Sequence, residues 1–240
     1  MILVASVPVQ AEVINNAAEY RNCLALARTQ PEAGFEKALS WQSLGGGDAA
    51  RHCVAVALIG LEKFEEAARR LEALAQASRR EESLRAEMLA QAGQAWLLAN
   101  NFERAYAAQT AALKLRPNDP DLLIDRAQSL AGAKNYWEAI DDLNQAISLA
   151  PNRVEALVFR AAAYRYVDSE KLAREDVERA LKLAPDNTEA LLERGILFRL
   201  AGKPDDARRD WIKILSLAPA SATADAARRN IELLDVRVME

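Results

Sequence analysis

Apolar residues recur along most of the chain at spacings of three and four, which is the pattern of amphipathic helices rather than of alternating strands. In residues 120–153, one apolar stripe precedes a short polar turn and another follows it. The two stripes consist of Leu123, Ala127 and Leu130, then Ala139, Leu143 and Ala146. The pattern predicts a helix–turn–helix unit here and an all-α fold for the chain.

The pattern repeats at a fixed distance. Leu115-Arg116-Pro117 is followed by three Leu-Ala-Pro triplets whose prolines stand at 151, 185 and 219, each 34 residues after the last. A fixed period of this size indicates stacked copies of one supersecondary unit, and the proline ends the second helix of each copy. Alignment on a small residue of the second helix predicts six repeats, at 14–47, 48–81, 86–119, 120–153, 154–187 and 188–221.

Residue by residue, the four repeats that carry the proline resemble the tetratricopeptide repeat. That family has large apolar residues at positions 4, 11 and 24 and small residues at positions 8, 20 and 27. Repeat 154–187 matches it with Leu157, Ala161, Tyr164, Ala173, Val177, Ala180 and Pro185. Gln109 departs at a large position and Ile214 departs at a small one. The resemblance implies a right-handed α-solenoid.

The resemblance also divides the chain. Residues 14–81 are two degenerate repeats without the proline, residues 86–221 are four good repeats, and 82–85 is an insertion of about one helical turn. Residues 221–240 are predicted to form a capping helix and tail. In that helix one face is apolar, and it consists of Ala224, Ala227, Ile231 and Leu234.

Charge and hydropathy narrow the classes of partner. The 31 basic and 35 acidic side chains are interspersed, and no basic stripe is present, which argues against nucleic acid. No apolar run approaches the roughly 20 residues of a transmembrane helix. Residues 1–11 are apolar and end in Val9-Gln10-Ala11, as before a signal-peptide cleavage site, but no charged region precedes them. They are either the remnant of a signal peptide or an apolar tail.

The two cysteines give information about the cellular compartment in which the chain works. Cys23 and Cys53 lack the CxxC spacing of metal and redox sites, and both fall on predicted first helices. First helices of successive repeats pack side by side in the resembled family, so a disulfide between them is feasible. The alternative is two buried free thiols. A disulfide would favour a periplasmic or secreted location in a bacterium over a cytoplasmic one.

Side chains suited to catalysis are sparse. His52 is the sole histidine, and Gly45-Gly46-Gly47 is interpreted as a turn between repeats rather than as a phosphate loop. Adjacent carboxylates, such as Asp141-Asp142, are interpreted as a solvated face. No catalytic, cofactor or metal site is predicted, and the chain is not expected to be an enzyme. Arg126, Arg160 and Arg194 recur every 34 residues, and pairing with acids between repeats is favoured over an anion receptor.

The resemblance implies that positions 2, 5, 9, 12 and 13 of the first helices line a concave groove. The lysine and asparagine with which one branch of the family grips a terminal carboxylate are missing there. We therefore expect a protein or peptide partner with apolar anchors, held by a non-enzymatic scaffold. The alternative is a self-associating structural element of a cell-envelope complex, that is, a homo-oligomer. The candidate contacts are Leu97, Ile124, Gln128, Val158, Arg165, Tyr166, Leu192 and Arg199.

Overall fold

The computed structural model describes residues 16–79 and 81–238, and these residues form thirteen α-helices and no strand. They fall into two compact units that divide between residues 79 and 80. The all-α prediction is therefore confirmed, whereas the predicted signal remnant or apolar tail at residues 1–11 lies outside the described residues. No helix in the described ranges combines the length and the apolar character needed to cross a membrane.

The first compact unit contains two helix pairs, and they are α1 (Asn16–Thr29), α2 (Pro31–Ser43), α3 (Gly47–Gly60) and α4 (Phe64–Ala77). A single residue separates α1 from α2, whereas three separate α3 from α4. The glycine run forms the turn between the pairs, with Gly45 and Gly47 at φ values of +87° and +57°. Glycine adopts this left-handed region without a steric penalty, so the interpretation as a turn between repeats is confirmed.

The second compact unit is a stack of helical hairpins closed by one further helix. Each helix packs against the next, and first helices of successive hairpins also contact one another. The four-residue insertion lengthens the first of them to 17 residues, against 13 in the later first helices. The nine helices of this unit are α5 (Glu82–Leu98), α6 (Phe102–Leu115), α7 (Pro120–Gly132), α8 (Tyr136–Leu149), α9 (Val154–Tyr166), α10 (Glu170–Leu183), α11 (Thr188–Leu200), α12 (Pro204–Leu217) and α13 (Ala222–Val238).

The repeated leucine-x-proline triplets set the helix ends in this unit. Helices α6, α8, α10 and α12 all end at the leucine, two residues before the proline. Side chains then cap the next helix. The Asp119 carboxylate accepts hydrogen bonds from the backbone N–H groups of Asp121 and Leu122, and the Asn187 side chain accepts one from that of Ala190. These bonds satisfy amide donors that a helix leaves unpaired at its start.

A continuous hydrophobic core runs through the second compact unit from Ala112 to Leu234. The small residues of the repeat let helices approach closely, and the large ones fill the space between them. The departure at Gln109 is accommodated in two ways: its side chain packs against Gly93, which has no Cβ, and its Oε1 accepts a hydrogen bond from Ser129 Oγ at 2.7 Å. A buried polar side chain thus replaces a large apolar one.

Helix α13 closes the stack with the predicted face. Ala224, Ala227 and Leu234 are buried and Ile231 is partly buried, while the opposite face of Arg228, Arg229 and Glu232 is exposed. Such an asymmetric helix covers the apolar end of a repeat array and presents a polar surface to water.

Candidate functional site: the groove face

The surface implied by the resemblance lies on the first helices of the second compact unit. We call positions 2, 5, 9, 12 and 13 of α5, α7, α9 and α11 the groove face. These helices contact one another in order, so the same positions recur every 34 residues along the face. Position 13 carries the most exposed apolar side chains. Leu98, Tyr166 and Leu200 are 52%, 56% and 48% exposed, and Gly132 occupies the same position between them.

The structure places the predicted contact residues at different depths. Tyr166 is exposed, whereas Leu97, Gln128, Arg165, Leu192 and Arg199 are partly buried. Ile124 and Val158 are only 1% and 7% exposed and belong to the hydrophobic core. For these two residues the expectation of a surface contact has to be corrected, because packing of neighbouring helices buries their side chains, whereas Leu192 at the same position is only partly buried.

The groove face carries an aromatic and ionic cluster at the end of α9. The Tyr166 ring stacks on Tyr136 at 4.6 Å between ring centroids, with an interplanar angle of 4°. The Arg165 guanidinium lies 4.3 Å from the centre of the Tyr166 ring and donates to Glu193 Oε1 at 2.5 Å. Stacking and ion pairing hold the exposed Tyr166 ring in one orientation, which lowers the entropy cost of using it as a contact.

Position 2 of the groove face is acidic in every good repeat, and a further carboxylate, Asp125, lies at position 6 of α7, outside the groove positions. Asp125 on α7 accepts a hydrogen bond from Gln94 Nε2 at 2.5 Å, which joins two successive repeats. The pKa of Asp125 is raised to about 6: burial is the largest cause and the negative charges of Glu155, Asp121 and Asp119 add to it, while the Gln94 hydrogen bond acts in the opposite direction. A cleft of about 300 Å³ nearby is also acidic, with Glu155 and Glu189 at its edge beside Val158 and Phe159.

The repeating arginines, at position 7 of the same first helices, have defined partners. Arg126 donates two hydrogen bonds to the Asp142 carboxylate, from Nε at 2.7 Å and from Nη2 at 2.6 Å. Arg160 with Asp176 and Arg194 with Asp210 repeat this bidentate geometry, with distances of 2.7 to 2.8 Å. Pairing with acids is therefore confirmed. The main partner, however, lies in the second helix of the same repeat rather than in a neighbouring one.

These aspartates went unrecognised in the sequence although a signal was present. Asp142, Asp176 and Asp210 also recur every 34 residues, always 16 after an arginine. Asp142 was interpreted as part of a solvated carboxylate pair, but it is buried. That interpretation is wrong because an ion pair across the hairpin compensates the loss of hydration. Glu193 and Asp125, at position 6, were missed for another reason: position 6 is not among the groove positions that the resemblance implies.

The first compact unit brings its two cysteines and its histidine into packed positions. The Cys23 and Cys53 sulfur atoms are at bonding distance, 1.92 Å, and link α1 to α3. His52 is almost fully buried, and its Nδ1 lies 2.8 Å from the Tyr20 hydroxyl. Among the described residues no group of three or more His, Cys, Asp or Glu side chains is arranged to hold a metal ion.

Comparisons with known proteins agree with this architecture. A family model described as tetratricopeptide repeat matches residues 171–222. Comparison with curated proteins gives no match. Among solved structures, a tetratricopeptide repeat protein from Parabacteroides merdae ATCC 43184 is similar with a TM-score of 0.71 at 16% identity, over 93% of this chain and 85% of that one.

Two further structures show the same fold. MamA, residues 41 to the end, from Desulfovibrio magneticus RS-1 has a TM-score of 0.60 at 21% identity and covers 73% of this chain and 97% of its own. YrrB, described as a TPR protein with an unusual peptide-binding site, has a TM-score of 0.54 at 16% identity, over 81% of this chain and 97% of its own. The matching family model and the 34-residue register identify tetratricopeptide repeats in this chain, and these likenesses show that its fold is that of tetratricopeptide repeat proteins.

Proposed function

We propose that the chain is a non-enzymatic scaffold that holds a segment of a partner protein against the groove face. The observation that carries the proposal is the row of exposed apolar side chains at position 13, namely Leu98, Tyr166 and Leu200. Contiguous exposed apolar surface is typical of an interaction site. Tetratricopeptide repeats generally mediate protein–protein interaction, and the similar protein YrrB is described as having a peptide-binding site.

The cluster around Tyr166 supports an apolar or aromatic anchor on the partner. A tyrosine already held by Tyr136 and Arg165 offers a flat surface with little rotational freedom to lose on binding. The neighbouring Leu200 extends this surface toward the end of the stack. A short helix or extended segment with one or two apolar side chains fits such a row.

The proposal predicts that Tyr166→Ala together with Leu200→Ala removes partner capture. Both side chains are exposed, so the double variant should keep its helical content by circular dichroism. The measurement is the amount of protein that the immobilised chain retains from an extract of its native host. Leu172→Ala with Leu183→Ala, at exposed leucines of α10, is the matched control and should retain the same proteins as the wild type. Undiminished capture by the groove variant would move the site elsewhere.

The same row of side chains would also suit a second copy of the chain. Self-association as part of an envelope complex is the alternative function, and light scattering of the purified chain separates the two. A monomer at high concentration favours a different partner. Dimers or larger species that disappear in the Tyr166→Ala, Leu200→Ala variant would favour the structural element.

We infer further that the chain works in an oxidising compartment, the periplasm or the outside of a bacterial cell. The bonding distance between Cys23 and Cys53 supports this location, because cytosolic thiols are kept reduced. Alkylation of protein from the native host, without reductant, followed by mass spectrometry tests it. Two labelled cysteines would place the chain in a reducing compartment.

A further inference from the structure

Two arginines of the groove face occupy the same position in successive repeats. Arg165 and Arg199 are both position 12, 34 residues apart, on α9 and α11. Arg165 is satisfied by a carboxylate from the next first helix. Its Nε and Nη2 donate to the two oxygens of Glu193 at 2.5 and 3.2 Å, and Glu193, at position 6 of α11, is only 5% exposed.

Helix α13 occupies the place of a next first helix for α11. It begins at Ala222, 34 residues after Thr188, and it contacts both α11 and α12. Its start is capped in the same register, because Ser221 Oγ accepts from the Ala224 N–H as Asn187 accepts from the Ala190 N–H. Its buried face also follows the register, since Ala224 and Ala227 stand 34 residues after the buried Ala190 and Glu193.

The register therefore places Ala227 where the preceding repeat has Glu193. By this register, the position that supplies a carboxylate to Arg165 holds only the methyl group of an alanine in the case of Arg199. The Arg199 Nε atom is buried and has no hydrogen-bond partner within the part of the chain that the structure describes. A guanidinium has five donors and stays charged at any physiological pH, so it cannot relieve the mismatch by losing a proton.

We propose that Arg199 is the receptor for a glutamate or aspartate side chain of the partner segment. This inference rests on the proposed function and names the chemistry that one subsite recognises. The Arg199 side chain is partly exposed although its Nε is buried, so a carboxylate from outside can reach the exposed part of the guanidinium. The contact between Arg165 and Glu193 shows that an arginine at position 12 of this face can bind a carboxylate by donating two hydrogen bonds to it. The exposed Leu200 beside it would contact an apolar neighbour of the acidic residue.

The test uses the full chain and a library of random peptides with acetylated N-termini and amidated C-termini, so that side chains supply the carboxylates. Wild type should enrich peptides with Asp or Glu beside an apolar residue. Replacing that Glu by Gln in a selected peptide should weaken its binding tenfold or more, the effect of losing a hydrogen bond between charged groups. Arg199→Gln should bind the Glu and Gln peptides about equally.

Two further variants make the result specific to Arg199. Arg209→Gln, at an exposed arginine of α12 that pairs with Asp206, should retain the discrimination between Glu and Gln peptides. Ala227→Glu restores the carboxylate of the preceding repeat and should abolish the discrimination while Arg199 is intact. If the Ala227→Glu variant fails to fold, the comparison of Arg199→Gln with Arg209→Gln still tests whether Arg199 causes the discrimination between Glu and Gln peptides.

Several outcomes would overturn the inference. Selected peptides without an acidic preference, or a preference that survives Arg199→Gln, would do so while leaving the proposed scaffold function intact. Failure to select any peptide would count against both the proposed scaffold function and the carboxylate site at Arg199. An acidic preference seen only with free C-termini would assign the site to the terminal carboxylate of a peptide instead of an acidic side chain. Dimers lost in Arg199→Gln would assign a second copy.

Discussion

Asp125 and Asp142 belong to the same repeat, yet their partners differ in charge. Asp142 accepts two hydrogen bonds from the Arg126 guanidinium, whereas Asp125 accepts one from the neutral side chain of Gln94. An ion pair stabilises a buried carboxylate, but a neutral amide compensates only part of the lost hydration. Burial therefore raises the pKa of Asp125 to about 6.

This shift predicts that Asp125 destabilises the fold at neutral pH. Its pKa is about 3.9 in an unfolded chain, so between about pH 4 and pH 6 the folded chain binds the extra proton. The contribution of Asp125 to the free energy of unfolding is therefore fully present below about pH 4 and is lost as the pH rises through 6. Asp125→Asn should therefore be more stable than the wild type by about 2 kcal/mol at pH 7.5, and the difference should nearly vanish at pH 4.

Urea denaturation of both proteins at pH 4 and pH 7.5 measures this difference. Glu175→Gln, at an exposed carboxylate of α10, is the control, and its stability difference should change little with pH. A constant difference between Asp125→Asn and the wild type at both pH values would contradict the assignment of the raised pKa to Asp125.

At the scale of helices, the turn between the two helices of most repeats contains one residue in an unusual backbone conformation. Position 15 has a positive φ in five repeats, and only one of the five residues is glycine; they are Glu62, Asn100, Lys134, Asp168 and Gly202, with φ between 56° and 70°. The following residue closes the helix end, as when the Asn135 N–H donates to the Leu130 carbonyl at 2.8 Å. This is the hydrogen-bond pattern of a left-handed C-cap, in which glycine is favoured.

Two opposite substitutions at position 15 test this assignment. Lys134→Gly should raise the free energy of unfolding by about 0.5–1 kcal/mol, because it relieves the left-handed strain of a residue with a Cβ. Gly202→Ala should lower the free energy of unfolding by about 1 kcal/mol, because it introduces the left-handed strain. An added Cβ at this position would meet no atom within 4 Å, so a steric clash does not contribute. Thermal unfolding of the two variants is the measurement, and changes of the same sign in both would refute the argument.

Helices of the second compact unit were predictable because their signals are local. Proline at 117, 151, 185 and 219 ends a helix through its own ring, and the apolar spacing identifies the buried face without reference to a neighbour. The first pair of helices was less predictable. No proline marks its end, and its corner consists of the single residue Gln30, so the alignment on Ala33 could not locate the turn between α1 and α2.

At the scale of the whole molecule, each of the two compact units is stabilised internally in a different way. The second has a continuous hydrophobic core through its repeats, whereas the first has the Cys23–Cys53 link between helices of its two degenerate repeats. A disulfide across 30 residues would remove conformational freedom from the unfolded chain and would stabilise the fold by roughly 3–4 kcal/mol on the chain-entropy account.

Reduction should therefore destabilise the first unit selectively. With reductant, we expect faster amide hydrogen exchange in α1–α4 and unchanged exchange in α5–α13. The Cys23→Ala, Cys53→Ala variant should show the same fast exchange in α1–α4 with and without reductant. Equal protection of α1–α4 in the oxidised and reduced wild type would show that packing alone holds this unit.

The sequence by itself determined the repeat length, the helix ends of the four good repeats, the alternation of large and small core residues and the resemblance to the tetratricopeptide repeat, because each depends on residues close in the chain or on a strict period. Only the tertiary structure decided which groove positions are accessible. Ile124 and Val158 share their position with surface residues of the resembled family but are buried here by neighbouring helices. It also decided the partners of the charged residues: whether an arginine finds a carboxylate depends on what the next helix presents, Glu193 for Arg165 and Ala227 for Arg199.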